Sequence, residues 1–207
     1  QAIELSRAYR GTTLLLSDVL EADDEYTGLH SHGVVSLSVA VADAMGLGSA
    51  ERRDVEFGAL LHDVGKIAVP KEIINEPGPL TDDEWFVIKT HTIEGQRMLD
   101  QVGGLLSRVG RIVRSSHEKW DGSGYPDGLT GHEIPVGAAI VSCCDAFNAM
   151  TTDRSYRAAM SVDEAIGEVE VNAGTQFSPA VVRALLRVLR EDPLTAGARG
   201  PRAVAAA

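Results

Sequence analysis

Apolar positions along this chain recur at steps of three and four and rarely alternate, so the pattern predicts helices and no strand. Between residues 2 and 21, Leu5, Tyr9, Thr12, Leu16 and Val19 repeat at alternating steps of four and three. That is either a short coiled-coil seam or the core face of an ordinary helix. The acidic stretch 21–25 breaks the pattern, and a second helix comes next with Val34, Leu37, Val41 and Ala44 on one face, closed by Gly46 and Gly48. Ser49 is expected to cap the next helix, whose Val55, Ala59 and neighbouring leucines run up to His62. Residues 67–69 form a short hydrophobic link, and Pro70, Pro77 and Pro79 mark the next stretch as a structured loop.

Thr81 with Glu84 is a capping box that opens a helical region carrying His91. A further helix with Leu105, Leu106, Val109, Ile112 and Val113 delivers Ser116 and His117, and the glycine-dense run 121–128 can only be loop. In the helix predicted at 133–150, Val136, Ile140, Cys143, Phe147 and Met150 form one stripe. The small residues Ala138, Ser142 and Ala149 surround Asp145 on the opposite side, so that face is expected to be covered too, with the carboxylate in a cleft. Ser161 with Glu164 is another capping box, and Ser178-Pro179 starts a last helix running to about residue 190. The implied fold class is all-α. The expected division is an N-terminal signalling or linker helix at 1–25, a helical domain at 26–190 and a flexible Ala-, Gly- and Pro-rich tail at 191–207.

The 207 residues suffice for one medium domain with a core that needs no disulfides. A net charge of -11 excludes general binding to a nucleic-acid polymer, because a phosphate backbone rewards a basic surface. A small phosphate ligand is still compatible, since a few local cations override the global sign. The two cysteines, Cys143 and Cys144, are adjacent, which disfavours a bridge and points to a reducing, cytoplasmic setting; they read as small core residues. The longest apolar run, 134–144, is too short to span a bilayer and no signal peptide is visible, so no membrane contact by this segment is expected. The chain starts without Met, as the cytoplasmic part of a larger sensor would, and its first helix could pair two copies.

The candidate chemistry centres on His62-Asp63-Val64-Gly65-Lys66, where an apolar helix ends in a metal-ligand pair, a turn glycine and an amine. Of the six histidines, His30, His62, His91 and His117 stand at or near predicted helix ends roughly thirty residues apart, the interval at which a bundle returns to the same end. With Asp63 and Asp145 they could converge from five segments. Mixed imidazole and carboxylate donors suit iron, manganese or zinc, and a bridging Asp63 implies two ions. Taken singly, each histidine also reads as an ordinary hydrogen-bonded residue. Lys66, the glycines of the 121–128 loop, and Arg154 and Arg157 add a phosphate-binding character.

These residues resemble the HD-GYP domain family. The resemblance rests on His62-Asp63-Val64-Gly65-Lys66-Ile67, Pro77-Gly78-Pro79-Leu80-Thr81, His91 and His117-Glu118-Lys119-Trp120-Asp121-Gly122-Ser123-Gly124-Tyr125-Pro126. It continues through Gly131-His132-Glu133-Ile134-Pro135, Asp145 and Thr152-Asp153-Arg154-Ser155-Tyr156-Arg157, in order from about residue 26 to 179. It implies an HD-superfamily helical bundle and a metal-dependent phosphodiesterase that hydrolyses the bacterial messenger cyclic di-GMP to linear pGpG and onward to GMP. The implied cofactors are two divalent ions, iron or manganese. The ligands carried over are His30, His62, Asp63, His91, His117 and Asp145. Lys66 would contact the phosphate or the attacking water, Arg154 and Arg157 would hold phosphate, and Gly124, Tyr125 and Asn148 would lie beside the substrate. A GGDEF-type or other signalling partner is also implied.

The departures from the family pattern are specific. Ser116 stands where the family usually has a first of two consecutive histidines, which removes one imidazole ligand. Tyr26 replaces a glutamate that serves a third metal in some members, so at most two ions are expected. Gly33 stands where arginine is common and Asn148 where a second aspartate is common. The rival reading is therefore a degenerate domain that binds the nucleotide or a partner without turnover, and a third is a hydrolase of another cyclic dinucleotide or of a nucleotide monophosphate. His32 reads as a surface residue, His132 as part of a polar turn, and Trp85 and Trp120 as packing residues.

Overall fold

The computed structural model describes residue 11, residues 29–76, 78–153 and 158–191, the side chains of 29–31 excepted. The predicted first helix, the pair Arg154 and Arg157, and the C-terminal tail lie outside the described residues. Among the described residues the helices are α1 (Leu29–Ala44), α2 (Ser49–Leu61), α3 (Lys71–Ile74), α4 (Asp82–Lys89), α5 (His91–Val102), α6 (Leu105–Arg114), α7 (Val136–Thr151), α8 (Val162–Val171) and α9 (Pro179–Glu191). Two short 3₁₀ turns, Val64–Ala68 and Gly131–Glu133, complete them. The described residues contain no strand, only isolated bridges pairing Asp121 with Thr130 and Ala173 with Phe177. The expected all-α bundle is what the chain forms.

The bundle is built around α7. Its faces carry Ala138, Ile140, Val141, Cys143, Cys144 and Phe147, all essentially inaccessible, so it is apolar nearly all round and packs against α1, α2, α6, α8 and α9. The outer helices are one-sided. In α6 Leu106, Val109, Ile112 and Val113 are buried while Arg108 and Arg111 face water, and in α9 Val181, Val182, Leu185 and Leu189 are buried while Arg183, Arg187 and Arg190 point outward. Each fully buried Leu, Ile or Phe contributes about 1.5–3 kcal/mol, enough over this many positions to hold the helix ends in fixed relation. The two cysteines are buried and unbridged, as the sequence suggests.

Local signals decide most helix boundaries. The capping boxes form as predicted: the Thr81 N–H donates to Glu84 Oε2 at 2.8 Å and the Ser161 N–H to Glu164 Oε2 at 2.9 Å. Ser49 is not the cap of α2. Gly48 holds that position, its N–H donating to Glu51 Oε2 at 3.1 Å, and Ser49 is already helical. The link after Lys66 is not plain loop, because residues 64–68 coil into the first 3₁₀ turn. The helix predicted from residue 133 starts at Val136, after the second 3₁₀ turn and Pro135. The region carrying His91 is two helices, broken at Thr90.

Candidate metal centre

Four helix-derived segments deliver the site. His62 is the C-cap of α2, Asp63 opens the 3₁₀ turn behind it, His91 is the first residue of α5, His117 comes after the end of α6, and Asp145 lies in the middle of α7. The close approach of the 3₁₀ turn to α5 depends on Gly65, where a Cβ would run into the His91 carbonyl and the Gly95 N–H. Any side chain at residue 65 would push His91 away from Asp63.

Both buried histidines are pinned the same way. His62 Nδ1 donates to the Ala59 carbonyl at 2.8 Å and His91 Nδ1 to the Ile88 carbonyl at 2.7 Å, each three residues back in its own chain. That fixes Nδ1 as the donor and leaves Nε2 aimed into the centre, the arrangement usual for a metal-ligating histidine. Asp63 is shared between two groups. Its Oδ1 lies 3.7 Å from His91 Nε2, and its Oδ2 lies 3.4 Å from His62 Nε2 and 2.7 Å from Lys66 Nζ. Asp145 closes the second group, 3.8 Å from His62 Nε2.

Electrostatics follows from this crowding. Burial works against protonation of His62, but the Asp63 and Asp145 carboxylates outweigh it and raise its pKa. Burial dominates at His91 and His117, whose pKa values fall, that of His117 to about 4. Burial would raise the Asp63 carboxyl, yet Lys66, His62 and His91 together hold it well below the usual carboxylate range. At neutral pH the centre therefore offers neutral imidazoles at His91 and His117 and an ionised carboxylate, the donor states a divalent ion requires.

The residues fit such an ion. Asp63, His91 and His117 each place one ligand atom so that all three lie within 4.8 Å of one another. His91 Nε2 is fully buried and has no hydrogen-bond partner among the described residues, an arrangement that costs stability unless something accepts the lone pair. Lys66 meanwhile supplies positive charge to Asp63.

The 121–128 loop walls one side. The Tyr125 ring stacks on His117, centroids 5.0 Å apart and planes at 14°, and the Tyr125 N–H donates to the His117 carbonyl at 3.1 Å. Burial first, and then Asp63, push the Tyr125 phenol well up, so it stays protonated. Gly124 permits this fold-back, since a Cβ there would collide with the Lys119 N–H. Behind the loop sits Glu118, 2% exposed, which accepts the Asp127 N–H at 2.7 Å and the Leu129 N–H at 3.0 Å. Arg114 adds a two-point ion pair to Asp127 at 2.6 and 2.7 Å.

The structure thus brings His62, Asp63, Lys66, His91, His117, Gly124, Tyr125 and Asp145 together. His30 is placed in the first turn of α1, but its side chain lies outside the described residues, as do Arg154 and Arg157 entirely. Asn148 is buried against α1, where a Cβ on Gly33 would strike its side-chain amide. Ser116 is 2% exposed and its hydroxyl donates to the Val113 carbonyl at 2.9 Å. Trp120 packs edge-on against His132, but Trp85 does not pack into the core; it is 45% exposed. Sequence reasoning also passed over Glu118 and Lys89. The usable signal for Lys89 was its position four residues after Trp85 on one helix.

Comparison with known proteins agrees with this fold. The HD domain matches residues 14–181. The chain belongs to the HD-domain family. The HD-GYP resemblance is supported by relatives: the chain is 38% identical over 178 residues to the cyclic di-GMP phosphodiesterase of Thermotoga maritima, covering 86% of this chain and 48% of that protein. It is 32% identical over 185 residues to 3'3'-cGAMP-specific phosphodiesterase 2 of Vibrio cholerae, covering 89% and 35%. The crystal structure of the Vibrio cholerae cyclic GMP-AMP specific phosphodiesterase V-cGAP3 superposes with a TM-score of 0.70 at 18% identity, covering 91% of this chain and 51% of that one, which shows the shared fold. The chain spans about half the length, or less, of these relatives. No helix among the described residues is long and apolar enough to cross a membrane.

Proposed function

We propose that this HD domain is a divalent-metal-dependent phosphodiesterase that opens cyclic di-GMP to pGpG and cleaves pGpG onward to GMP. The observation that carries the reading is the Asp63 carboxylate, one oxygen facing His91 and the other facing His62 and Lys66. His62, Asp63 and Asp145, joined by His30 from α1, would hold one ion; Asp63, His91 and His117 would hold the second. When bound, two such ions, iron or manganese in our reading, supply Lewis-acid polarisation of the phosphoryl group and a nucleophilic water at neutral pH.

The chain's own residues do the rest. Lys66 stands at the floor with its ammonium beside Asp63, where it can hold a non-bridging phosphate oxygen and offset the charge that grows in the transition state. Arg154 and Arg157 are assigned to phosphate binding. The protonated Tyr125 and the loop behind it, with Gly124 at its turn, screen His117 from bulk water. Asn148 is assigned to the wall behind the substrate. Hydrolysis adds water across one P–O bond, which opens the ring, and the same residues can receive the linear product's phosphodiester.

The functional unit is taken as residues 26–190, acting in the cytoplasm as part of a larger signalling protein. Residues 1–25 would serve as linker and dimerisation helix, and a GGDEF-type protein is a candidate partner. Purified chain loaded with Mn²⁺ or Fe²⁺ under anaerobic conditions should convert cyclic di-GMP to pGpG or GMP by chromatography, and Asp63→Ala should abolish both metal uptake and product. Similarity to a 3'3'-cGAMP-specific enzyme makes that dinucleotide the comparison substrate. The second reading, nucleotide binding without turnover, is favoured by one observation. Ser116 turns its hydroxyl to the Val113 carbonyl, so the second ion would have three protein ligands among the described residues. Tight binding of cyclic di-GMP with no product would establish it.

A further inference from the structure

Among the described helices of eight residues or more, α4 is the exception, because the others are all anchored by buried residues. It has eight residues, four of them apolar, and none is buried. Trp85 is 45% exposed and Phe86 72% exposed. A helix this short gains little from intrinsic propensity, and α4 keeps its shape through the Thr81 capping box and its contacts with α3 and α5. Its large aromatic surface therefore faces solvent without repaying the fold.

Trp85 and Lys89 are four residues apart on one helical face. The Lys89 ammonium lies 5.9 Å from the Trp85 ring centroid and 5.6 Å from that of Tyr125. Tyr125 in turn stacks on His117 at 5.0 Å. A continuous row, His117, Tyr125, Lys89, Trp85, thus leads from the metal centre to the surface. Lys89 has no carboxylate partner among the described residues, in a chain of net charge -11. A cation held between two π-faces beside a phosphodiesterase centre is complementary to a phosphate next to an aromatic base.

We propose that Trp85 and Lys89 form an outer subsite for the second nucleotide of the cyclic dinucleotide. This rests on the phosphodiesterase reading above and extends it. While one phosphodiester is at the metal centre, the other must be placed outside it. Lys89 pairs with that second phosphate, and Trp85 stacks the attached purine. The subsite recognises a π-face and a charge, so it binds any purine and sets affinity for a dinucleotide over a mononucleotide.

The test uses the full chain, Mn²⁺-loaded, in a Trp120→Phe background so that Trp85 is the sole indole. Titration with cyclic di-GMP should quench its emission saturably, at a concentration matching KM. Trp85→Ala should raise KM about ten-fold with a much smaller change in kcat, Trp85→Phe should recover most of the loss, and Lys89→Gln should raise KM and flatten its salt dependence. Turnover with unchanged Trp85 emission, or a Trp85→Ala KM within about two-fold of the parent, overturns the subsite and leaves the phosphodiesterase reading standing. Quenching without turnover supports the subsite and refutes hydrolysis. Neither quenching nor turnover overturns both.

Discussion

Glu118 offers the sharpest test of how the 121–128 loop is held. The side chain is 2% exposed, and its two oxygens accept the Asp127 and Leu129 N–H groups at 2.7 and 3.0 Å. Arg114 lies close enough to feel its charge. Glu118→Gln keeps the volume but leaves one acceptor where there were two, and turns an NH₂ toward the remaining N–H. A hydrogen bond to a charged acceptor contributes about 1.5–3 kcal/mol, and an unmet buried donor costs about 1–3 kcal/mol. The carboxylate's own desolvation cost is recovered on substitution, which offsets part of the loss. The expected net destabilisation is about 2–4 kcal/mol, and Glu118→Ala should cost somewhat more because it also opens a cavity.

A urea titration followed by far-UV circular dichroism measures this directly. It should be done on metal-free protein, since an ion bound only to the folded chain would mask the loss by mass action. The melting temperature should fall by roughly 5–15 °C for a chain of this size. Because the Tyr125 N–H is tied to the His117 carbonyl, the same substitution should also weaken metal uptake. A Glu118→Gln protein within about 0.5 kcal/mol of the parent would refute the reasoning, and would mean that water satisfies both N–H groups as well as the carboxylate does.

Other expectations rest on the same geometry. Gly65→Ala should lower metal content and activity by roughly ten-fold or more, measured by metal analysis and product chromatography, because its Cβ would strike the His91 carbonyl. Ser116→His should raise occupancy of the second ion and the rate; unchanged metal content would show that a side chain at that position cannot reach the centre. A double-mutant cycle on Arg114 and Asp127 should give a coupling of about 0.5–1 kcal/mol that shrinks with added salt, since the pair is bidentate but partly solvated.

Much of the site was legible because its residues sit where local sequence signals are strong. An apolar helix running into His62-Asp63, a capping box before α4 and the small-residue face around Asp145 each report short-range geometry, and each took the form expected. The illegible part depends on contacts between distant segments. The 3₁₀ turn after Asp63 exists because Gly65 must pass under the His91 carbonyl, a constraint that no local pattern around residue 65 announces. Glu118 lies between a helix end and a glycine-rich loop, where a carboxylate normally reads as solvated, yet the loop closes over it. Trp85 reads as a packing residue because tryptophan usually is one, and only the position of α4 outside the bundle shows otherwise.

The departures from the family pattern also look different once placed in space. Gly33 and Asn148, far apart in sequence, are neighbours: the glycine leaves the room that the buried amide fills. Neither residue carries charge, so the contact leaves no buried charge without a partner. Ser116 behaves in the same way, its hydroxyl satisfied by the Val113 carbonyl and not left unpaired beside the ions' donors. Three ligand atoms from Asp63, His91 and His117 converge without a contribution from residue 116. A three-ligand set with an open position is what zinc hydrolases use for catalysis, whereas a fully saturated one is typical of structural sites. On that argument Ser116 would lower affinity for the second ion and leave it an open position, so Ser116→His is expected to raise occupancy first and the rate only through it.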